Sequence, residues 1–311
     1  MDYIYTILIL IGLFVILASS FDLVIGHCGL ISIAHPIFYA IGAYVSAMLA
    51  KDAGVPIPLA ILCGGAAAFV SSVLVALPSL RVSGDYLLIA SIGFQLGLIE
   101  LAKHIHSIGG AGGLTNIPPF LVNDYGRLSY VALVLAVAVL TVLFVRWLTH
   151  GPYGRMMAAM RDDELAFSML GRNAIWLKVS IFAIGSGIAG VAGGLYAHYF
   201  RFLEPDQFGL LQSSAILTMV VVGGMRTTMG PVIGAIVLQI LPQAITFFGL
   251  PPSILGPLQG LMFSGLVLFF MFARPQGLIA APDIWSGRKT NDGRPRGLAK
   301  GGLAKGGLAD G

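Results

Sequence analysis

The stretch GPYGRMMAAMRDDELAFSMLGRN, residues 151–173, is the longest charged, helix-competent run between hydrophobic segments of this chain. Four apolar side chains within it recur at close to helical spacing and predict one apolar stripe: Met156, Met160, Phe167 and Leu170. Dense acidic charge interrupts that stripe. This pattern favours a surface that contacts another protein, and the alternative is an amphipathic helix lying on the membrane.

The composition around this stretch is that of a membrane protein. Of the 311 residues, 57% are hydrophobic and only 10% are charged, and the mean hydropathy is +0.90. A soluble domain carries about 25% charged residues, so this chain has too few charges to cover a soluble surface. The 41 glycines fit close helix packing and interrupted helices.

The hydrophobic segments predict an all-α polytopic membrane protein with about nine (8–10) transmembrane helices, since a bilayer core needs about 20 apolar residues. The first run has Asp2 in place of a basic region, which favours a retained helix over a signal peptide. The predicted spans are 3–20, 30–50, 57–77, 86–105, 128–148, 177–199, 211–226, 230–249 and 255–273.

Lysine and arginine placement predicts the orientation of the spans. The loop 149–178 and the segment after residue 273 hold most of these residues and are expected in the cytoplasm. The predicted domains are a transmembrane domain, 1–282, with a charged cytoplasmic loop at 149–175, and a disordered cytoplasmic tail, 283–311. The tail is glycine-rich and too polar to form a core.

The chain has no phosphate-binding loop of the form G-x-x-x-x-G-K-[ST]. A pump built on this chain would therefore take its energy from another chain or from an ion gradient. Glu100 lies at helical spacing from Lys103 and His104 near the end of the fourth span. This cluster is either a surface ion pair or the proton-coupling group of a secondary transporter or channel.

Two segments interrupt the apolar pattern, at 26–36 and at 223–231, and both are rich in glycine and contain a proline. Helices broken within a membrane often border a transported solute, although a tight turn at the membrane surface explains the first segment equally well. The candidate substrate-pathway residues are Ser32, His35, Phe38, Tyr44, Ser213, Ser214, Gly223 and Gly224. We expect no catalytic residue and no metal site in the chain.

Motifs over about residues 20 to 280, in the same order, resemble those of the LivM-like permease subunits of bacterial branched-chain amino acid ABC transporters. Each motif is weak alone, and their order is specific. The motifs are Gly29-Leu30-x-Ser32-x-x-His35-x-x-Phe38-x-x-x-Gly42-Ala43-Tyr44, Gly154-Arg155-x-x-x-Ala159-x-Arg161-Asp162-x-Glu164-x-Ala166 with Leu170-Gly171, Pro205-x-x-Phe208 with Ser213-Ser214, Val222-Gly223-Gly224 and Gly230-Pro231-x-x-Gly234-Ala235, and Arg274-Pro275-x-Gly277-Leu278.

The resemblance implies a non-enzymatic permease of the bacterial inner membrane that binds no cofactor and no nucleic acid. Its implied partners are a second, LivH-like permease subunit, two cytoplasmic ATPase subunits that use ATP, an extracytoplasmic solute-binding protein and the lipid bilayer. The implied ATPase-coupling residues are Gly154, Arg155, Arg161, Asp162, Glu164 and Gly171.

The chain departs from the family pattern at Ala34-His35-Pro36, Gln95-Leu96 and Ile108-Gly109-Gly110. These departures lie in the half expected to line the pathway, so they bear on the substrate. Branched-chain or other amino acids are the first expectation, and urea or short amides are the alternative within the same transporter class.

Overall fold

The computed structural model describes residues 2–30, 32–79, 85–120 and 126–246, together with 265, 268 and 277–279. The described chain is helical apart from its connections and one isolated antiparallel pair, Leu114 with Leu203. The helices are α1 Asp2–Asp22, α2 His35–Lys51, α3 Ile57–Ser79, α4 Asp85–His104, α5 Gly126–His150, α6 Pro152–Asp162, α7 Glu164–Met169, α8 Ala174–Phe200, α9 Leu210–Gly223 and α10 Gly230–Thr246.

Within the described residues, 5 helical segments are long and apolar enough to cross a membrane: Tyr3–His27, Ile57–Ala76, Tyr86–His104, Gly126–His150 and Ala174–Phe200. The all-helical membrane architecture predicted from the sequence is therefore confirmed. Helices α2, α9 and α10 are shorter, at 17, 14 and 17 residues. The predicted span at 255–273, apart from residues 265 and 268, and the predicted tail at 283–311 lie outside the described residues.

The centre of the fold is a three-helix contact among α2, α3 and α8, built on glycines. A β-carbon added at Gly42 would overlap the backbone of Gly190, and one added at Gly190 would lie 2.5 Å from the Ala68 side chain. Glycine lets helix backbones approach this closely. The small-residue faces of α2 and α8 are thus used for packing, as their sequence pattern indicates.

The chain leaves the helical conformation at both interruptions of the apolar pattern. After α1 the chain forms a π-helical turn, Leu23–His27, and α2 begins only at His35 with a proline in its first turn, a position where proline has no bond to lose. The sequence-based span 30–50 therefore starts too early. The second break separates α9 from α10, and Gly224 within it has a φ of +113°.

Residues 278 and 279 complete the C-terminal end of α9. The Leu278 amide donates to the Val222 carbonyl at 2.8 Å, and the Ile279 amide donates to the Gly223 carbonyl at 3.1 Å. The last carbonyls of a helix lack partners within the helix, so these bonds satisfy groups that the break would expose. Gly277 has a φ of +80° and packs on Gly224, which explains why both positions are glycine.

Candidate coupling and translocation site

The 151–173 stretch folds into two short helices rather than one. Gly151 precedes α6, which ends at Asp162, and Asp163 then leaves the helical conformation. The Asp163 carboxylate accepts a hydrogen bond of 2.9 Å from the Ala166 amide and so caps the start of α7. Gly171, with a φ of +75°, lies just past the end of α7, as its sequence position predicts.

The break at Asp163 changes which side chains of the stretch are buried. Met157, Met160 and Phe167 are buried, but Leu170 is 79% exposed. The single apolar stripe predicted through Leu170 is therefore wrong, because the non-helical residue rotates α7 relative to α6.

Arg161 ties α6 to the end of α1. Its Nη1 donates a hydrogen bond to the Gly26 carbonyl oxygen in the π-helical turn. The aliphatic part of the same side chain covers Gly29, where an added β-carbon would lie 3.0 Å from Arg161 Cγ. Partial burial and the positive charge of nearby Arg226 lower the pKa of the Arg161 guanidinium. Arg161, part of the predicted ATPase-coupling set, thus contacts its own chain.

Asp22 lies at the centre of this junction and is 1% exposed. Its Oδ1 accepts a hydrogen bond of 3.0 Å from the Arg226 amide, and its Oδ2 lies 3.3 Å from His27 Nδ1. Arg226 holds a φ of +66° in the second break. One carboxylate therefore joins the two interruptions of the fold. The sequence analysis missed Asp22, although an acidic residue at the end of an apolar run was the available signal.

A second contact fixes α7 against α8. Lys178 Nζ donates to Glu164 Oε1 at 2.6 Å, and the Lys178 side chain is 8% exposed. Tyr153 of α6 also bonds Ser180 of α8 through their hydroxyl groups. Glu164, predicted to couple to the ATPase, is thus engaged within the chain.

The other predicted coupling residues divide between packing and surface. Gly154 lies inside α6, where an added β-carbon would overlap the Thr149 backbone. Arg155, Asp162 and Gly171 are exposed. Beside them α7 presents exposed Leu165 and Met169. The stretch therefore has an inner side bound to the permease and an outer side that carries charged and apolar groups.

The predicted pathway residues in the first half of the chain make separate contacts in different parts of the fold. His35 is 1% exposed, and its Nε2 lies 2.9 Å from Ser20 Oγ. Phe38 packs edge-on against Phe182, with ring centroids 5.3 Å apart. Buried Ser32 lies between the π-helical turn and α2, and the Tyr44 hydroxyl donates to the Leu203 carbonyl at 3.3 Å.

The predicted residues of the second half are also dispersed. Ser213 is buried and bonded to Gln95 of α4, whose Nε2 lies 2.7 Å from Ser213 Oγ. Ser214 is exposed and bonds the Leu211 carbonyl of its own helix. Gly223 and Gly224 let the second break pack closely. The structure does not bring the predicted pathway residues together at one place in the described chain.

A cavity of about 320 Å³ lies elsewhere, between α1, α2, α8 and the segment 205–212. Tyr39, Tyr196, Gln207 and Gln212 contribute polar groups to its lining, and the sequence analysis named none of them as pathway residues. Glutamines and tyrosines on separate segments give no local sequence signal, because only the tertiary fold brings them together.

Comparison with known proteins identifies the family of this chain. The family model for the branched-chain amino acid transport system permease component matches residues 3–272. The LivM permease proteins of high-affinity branched-chain amino acid transport from Salmonella typhimurium and Escherichia coli K12 are each 32% identical over 298 residues, covering 86% of this chain and 68% of the relative. The corresponding LivH permease of Escherichia coli K12 is 24% identical over 302 residues, covering 87% and 92%.

No solved structure matches the chain. The family match spans both helix interruptions and the charged stretch between them. The chain belongs to the branched-chain amino acid transport system permease family.

Proposed function

We propose that this chain is a membrane-spanning permease subunit of an ATP-driven importer that carries branched-chain amino acids across the bacterial inner membrane. The family match and the LivM relatives support the transporter class and the substrate. The apolar helices support a multi-pass membrane protein. In this proposal the chain has about nine spans and a cytoplasmic C-terminus, and it carries out no bond chemistry.

The proposed complex contains a second, LivH-like permease subunit, two cytoplasmic ATPase subunits and an external solute-binding protein. Similarity to both LivM and LivH relatives supports a pair of related permeases. The chain binds no cofactor of its own in this proposal, and ATP is used by the ATPase subunits.

The hydrogen bond from Arg161 to the Gly26 carbonyl carries the mechanistic part of the proposal. We infer that the 151–173 stretch is the coupling segment and that its exposed side, with Arg155 and Asp162, meets an ATPase subunit. Closure of the ATPase pair then moves α6. Because Arg161 holds the π-helical turn, and Asp22 joins that turn to the second break, the displacement reaches both interruptions of the helices.

The alternative of proton coupling through Glu100 has less support. The Glu100 side chain is 64% exposed, and Lys103 lies 2.7 Å from Asp206 but 3.9 Å from Glu100. An exposed acid beside an ion pair at a helix end is typical of a surface network, whereas a proton relay requires a group shielded within the span.

Co-purification tests the proposal. The chain is tagged and expressed with the genes for a LivH-like permease and the ATPase subunits, and the detergent-solubilised complex is isolated by the tag. We expect the second permease and ATPase subunits to co-elute, and the complex to hydrolyse ATP. Elution of the chain without any ATPase subunit, when all are expressed, would contradict the proposal.

A further inference from the structure

The cavity between α1, α2, α8 and the segment 205–212 has two chemically different walls. Helix α1 supplies an apolar wall that includes Leu13 and Leu17, each 1% exposed, with Leu10 and Phe14 beside them. The volume of the cavity, about 320 Å³, is at the lower end of the range of about 300–1,000 Å³ for ligand sites. The space therefore suits a small solute with an aliphatic group.

The lining from α8 and the segment 205–212 offers hydrogen bonds. The Tyr196 hydroxyl donates to Gln207 Oε1 at 3.1 Å, which orients this amide. Within the described chain, neither the Gln207 amide nitrogen nor the half-buried Gln212 side chain has a protein partner. These groups can donate to and accept from the polar end of a solute.

The described lining contains no charged side chain. A solute with a net charge would lose its hydration there without gaining a counter-ion, and this is unfavourable in a buried site. A zwitterion or a neutral amide brings no net charge. The aliphatic wall then distinguishes these two, because urea and short amides have little apolar surface to bury.

The polar wall is held in place from outside the cavity. Gln95 Nε2 donates to the Phe208 carbonyl at 3.0 Å and bonds Ser213, which fixes the segment that carries Gln207 and Gln212. On the other side, the Phe208 and Tyr39 rings pack with centroids 5.2 Å apart. The geometry is therefore set before any solute enters, as a selective site requires.

We propose that this cavity is the permease's own selectivity site and that it takes a net-neutral solute with an aliphatic tail against Leu13 and Leu17 and its polar end against Gln207 and Gln212. The proposal rests on the proposed transport function. It favours an aliphatic amino acid over urea, and it gives the permease a role in selection in addition to that of a solute-binding protein.

The test measures uptake of leucine and alanine by the complete complex in proteoliposomes, with the same solute-binding protein throughout. The readout is the leucine-to-alanine ratio, which cancels differences in the amount of complex. Leu17→Phe fills the apolar end and should lower the ratio at least about fivefold, since one extra methylene changes discrimination by about tenfold or more. Leu17→Ala enlarges the same end of the cavity. It should therefore raise the leucine-to-alanine uptake ratio, because it makes room for the bulkier side chain.

Leu140→Phe is the matched control, because Leu140 is 64% exposed on α5 and does not line the cavity; it should leave the ratio unchanged. If one Leu17 variant fails to assemble, the other decides. A leucine-to-alanine ratio within about twofold of the wild-type ratio in an assembled Leu17 variant overturns the selectivity-site inference but leaves the proposed transport function standing. A wild-type complex that takes up no branched-chain amino acid contradicts the proposed function instead.

A charge substitution tests the neutral character of the site. Gln212→Glu adds an anion to the lining and should reduce leucine uptake at least about tenfold, because an ion within a membrane protein is costly. Gln212→Asn keeps a neutral amide and should therefore transport leucine at least about fivefold faster than Gln212→Glu. Equal uptake by the two variants would contradict a site selective for net-neutral solutes.

Discussion

Arg161 of α6 donates a hydrogen bond to the carbonyl oxygen of Gly26, in the π-helical turn that ends α1. The two residues are 135 positions apart in the chain. This contact makes the charged 151–173 stretch part of the membrane domain's first helix break. A movement of α6 therefore cannot occur without displacing that turn or breaking the bond.

Arg161→Ala should uncouple transport. Loss of a charge-assisted hydrogen bond removes about 1.5–3 kcal/mol of interaction, so α6 could move without the π-helical turn. We expect leucine uptake to fall at least about tenfold while ATP hydrolysis by the complex continues. Arg146→Ala, at an exposed arginine of α5 outside this stretch, is the control and should transport normally. Normal uptake by Arg161→Ala would exclude this contact as the coupling route.

The reactivity of Cys28 reports on the same contact. Cys28 is 3% exposed between Gly26 and Gly29, and burial raises the pKa of its thiol to about 12. Because the thiolate is the reactive form, labelling by a membrane-permeant maleimide at pH 8 should be very slow in a Cys63→Ala background. Arg161→Ala should accelerate it at least about tenfold, because a released turn relieves the burial that is the main cause of the raised pKa, and this outweighs the loss of the positive charge of Arg161, which lowers the pKa. Equal labelling rates with and without Arg161 would show that this side chain does not hold the turn.

Asp22 should contribute to stability more through its bonds than through its size. Asp22→Ala leaves the Arg226 amide without its acceptor and removes the carboxylate beside His27, and we expect a loss of about 1–3 kcal/mol. Asp22→Asn retains one carbonyl oxygen and should lose less. Thermal unfolding of the solubilised complex, followed by size-exclusion chromatography, measures both. An Asp22→Ala protein that unfolds at the wild-type temperature would show that the bonds of Asp22 do not stabilise the fold.

Two glycines on different helices should respond oppositely to alanine. Gly42→Ala forces a methyl group into the Gly190 backbone and should prevent assembly of α2 on α8. Gly97 of α4 has open space around an added β-carbon, so Gly97→Ala should be neutral or stabilise the helix by up to about 1 kcal/mol. The yield of monodisperse protein separates the two, and equal yields would contradict the packing described for α2 and α8.

Local sequence chemistry predicted the parts of this fold that depend on local residues. Glycine and proline marked both interruptions of the helices. These interruptions follow from the backbone properties of a few local residues.

Features that depend on distant residues were not predictable in this way. The partner of Arg161 is a backbone carbonyl, which every residue possesses, so no side-chain pattern marks Gly26 as its acceptor. The break at Asp163 results from one capping carboxylate, which the sequence analysis treated as part of a charged run. The cavity lining combines α1, α2, α8 and the segment 205–212, and only their packing brings Leu17 and Gln212 to the same cavity.

We propose that this permease imports branched-chain amino acids at the expense of ATP hydrolysed by its partner subunits. The most direct measurement is leucine uptake by the reconstituted complex in proteoliposomes with ATP supplied on the ATPase side, compared with a protonophore and with a non-hydrolysable ATP analogue. We expect uptake that requires ATP hydrolysis and is insensitive to the protonophore. Uptake that continues with the analogue, or that stops when the proton gradient is removed at constant ATP, would contradict it.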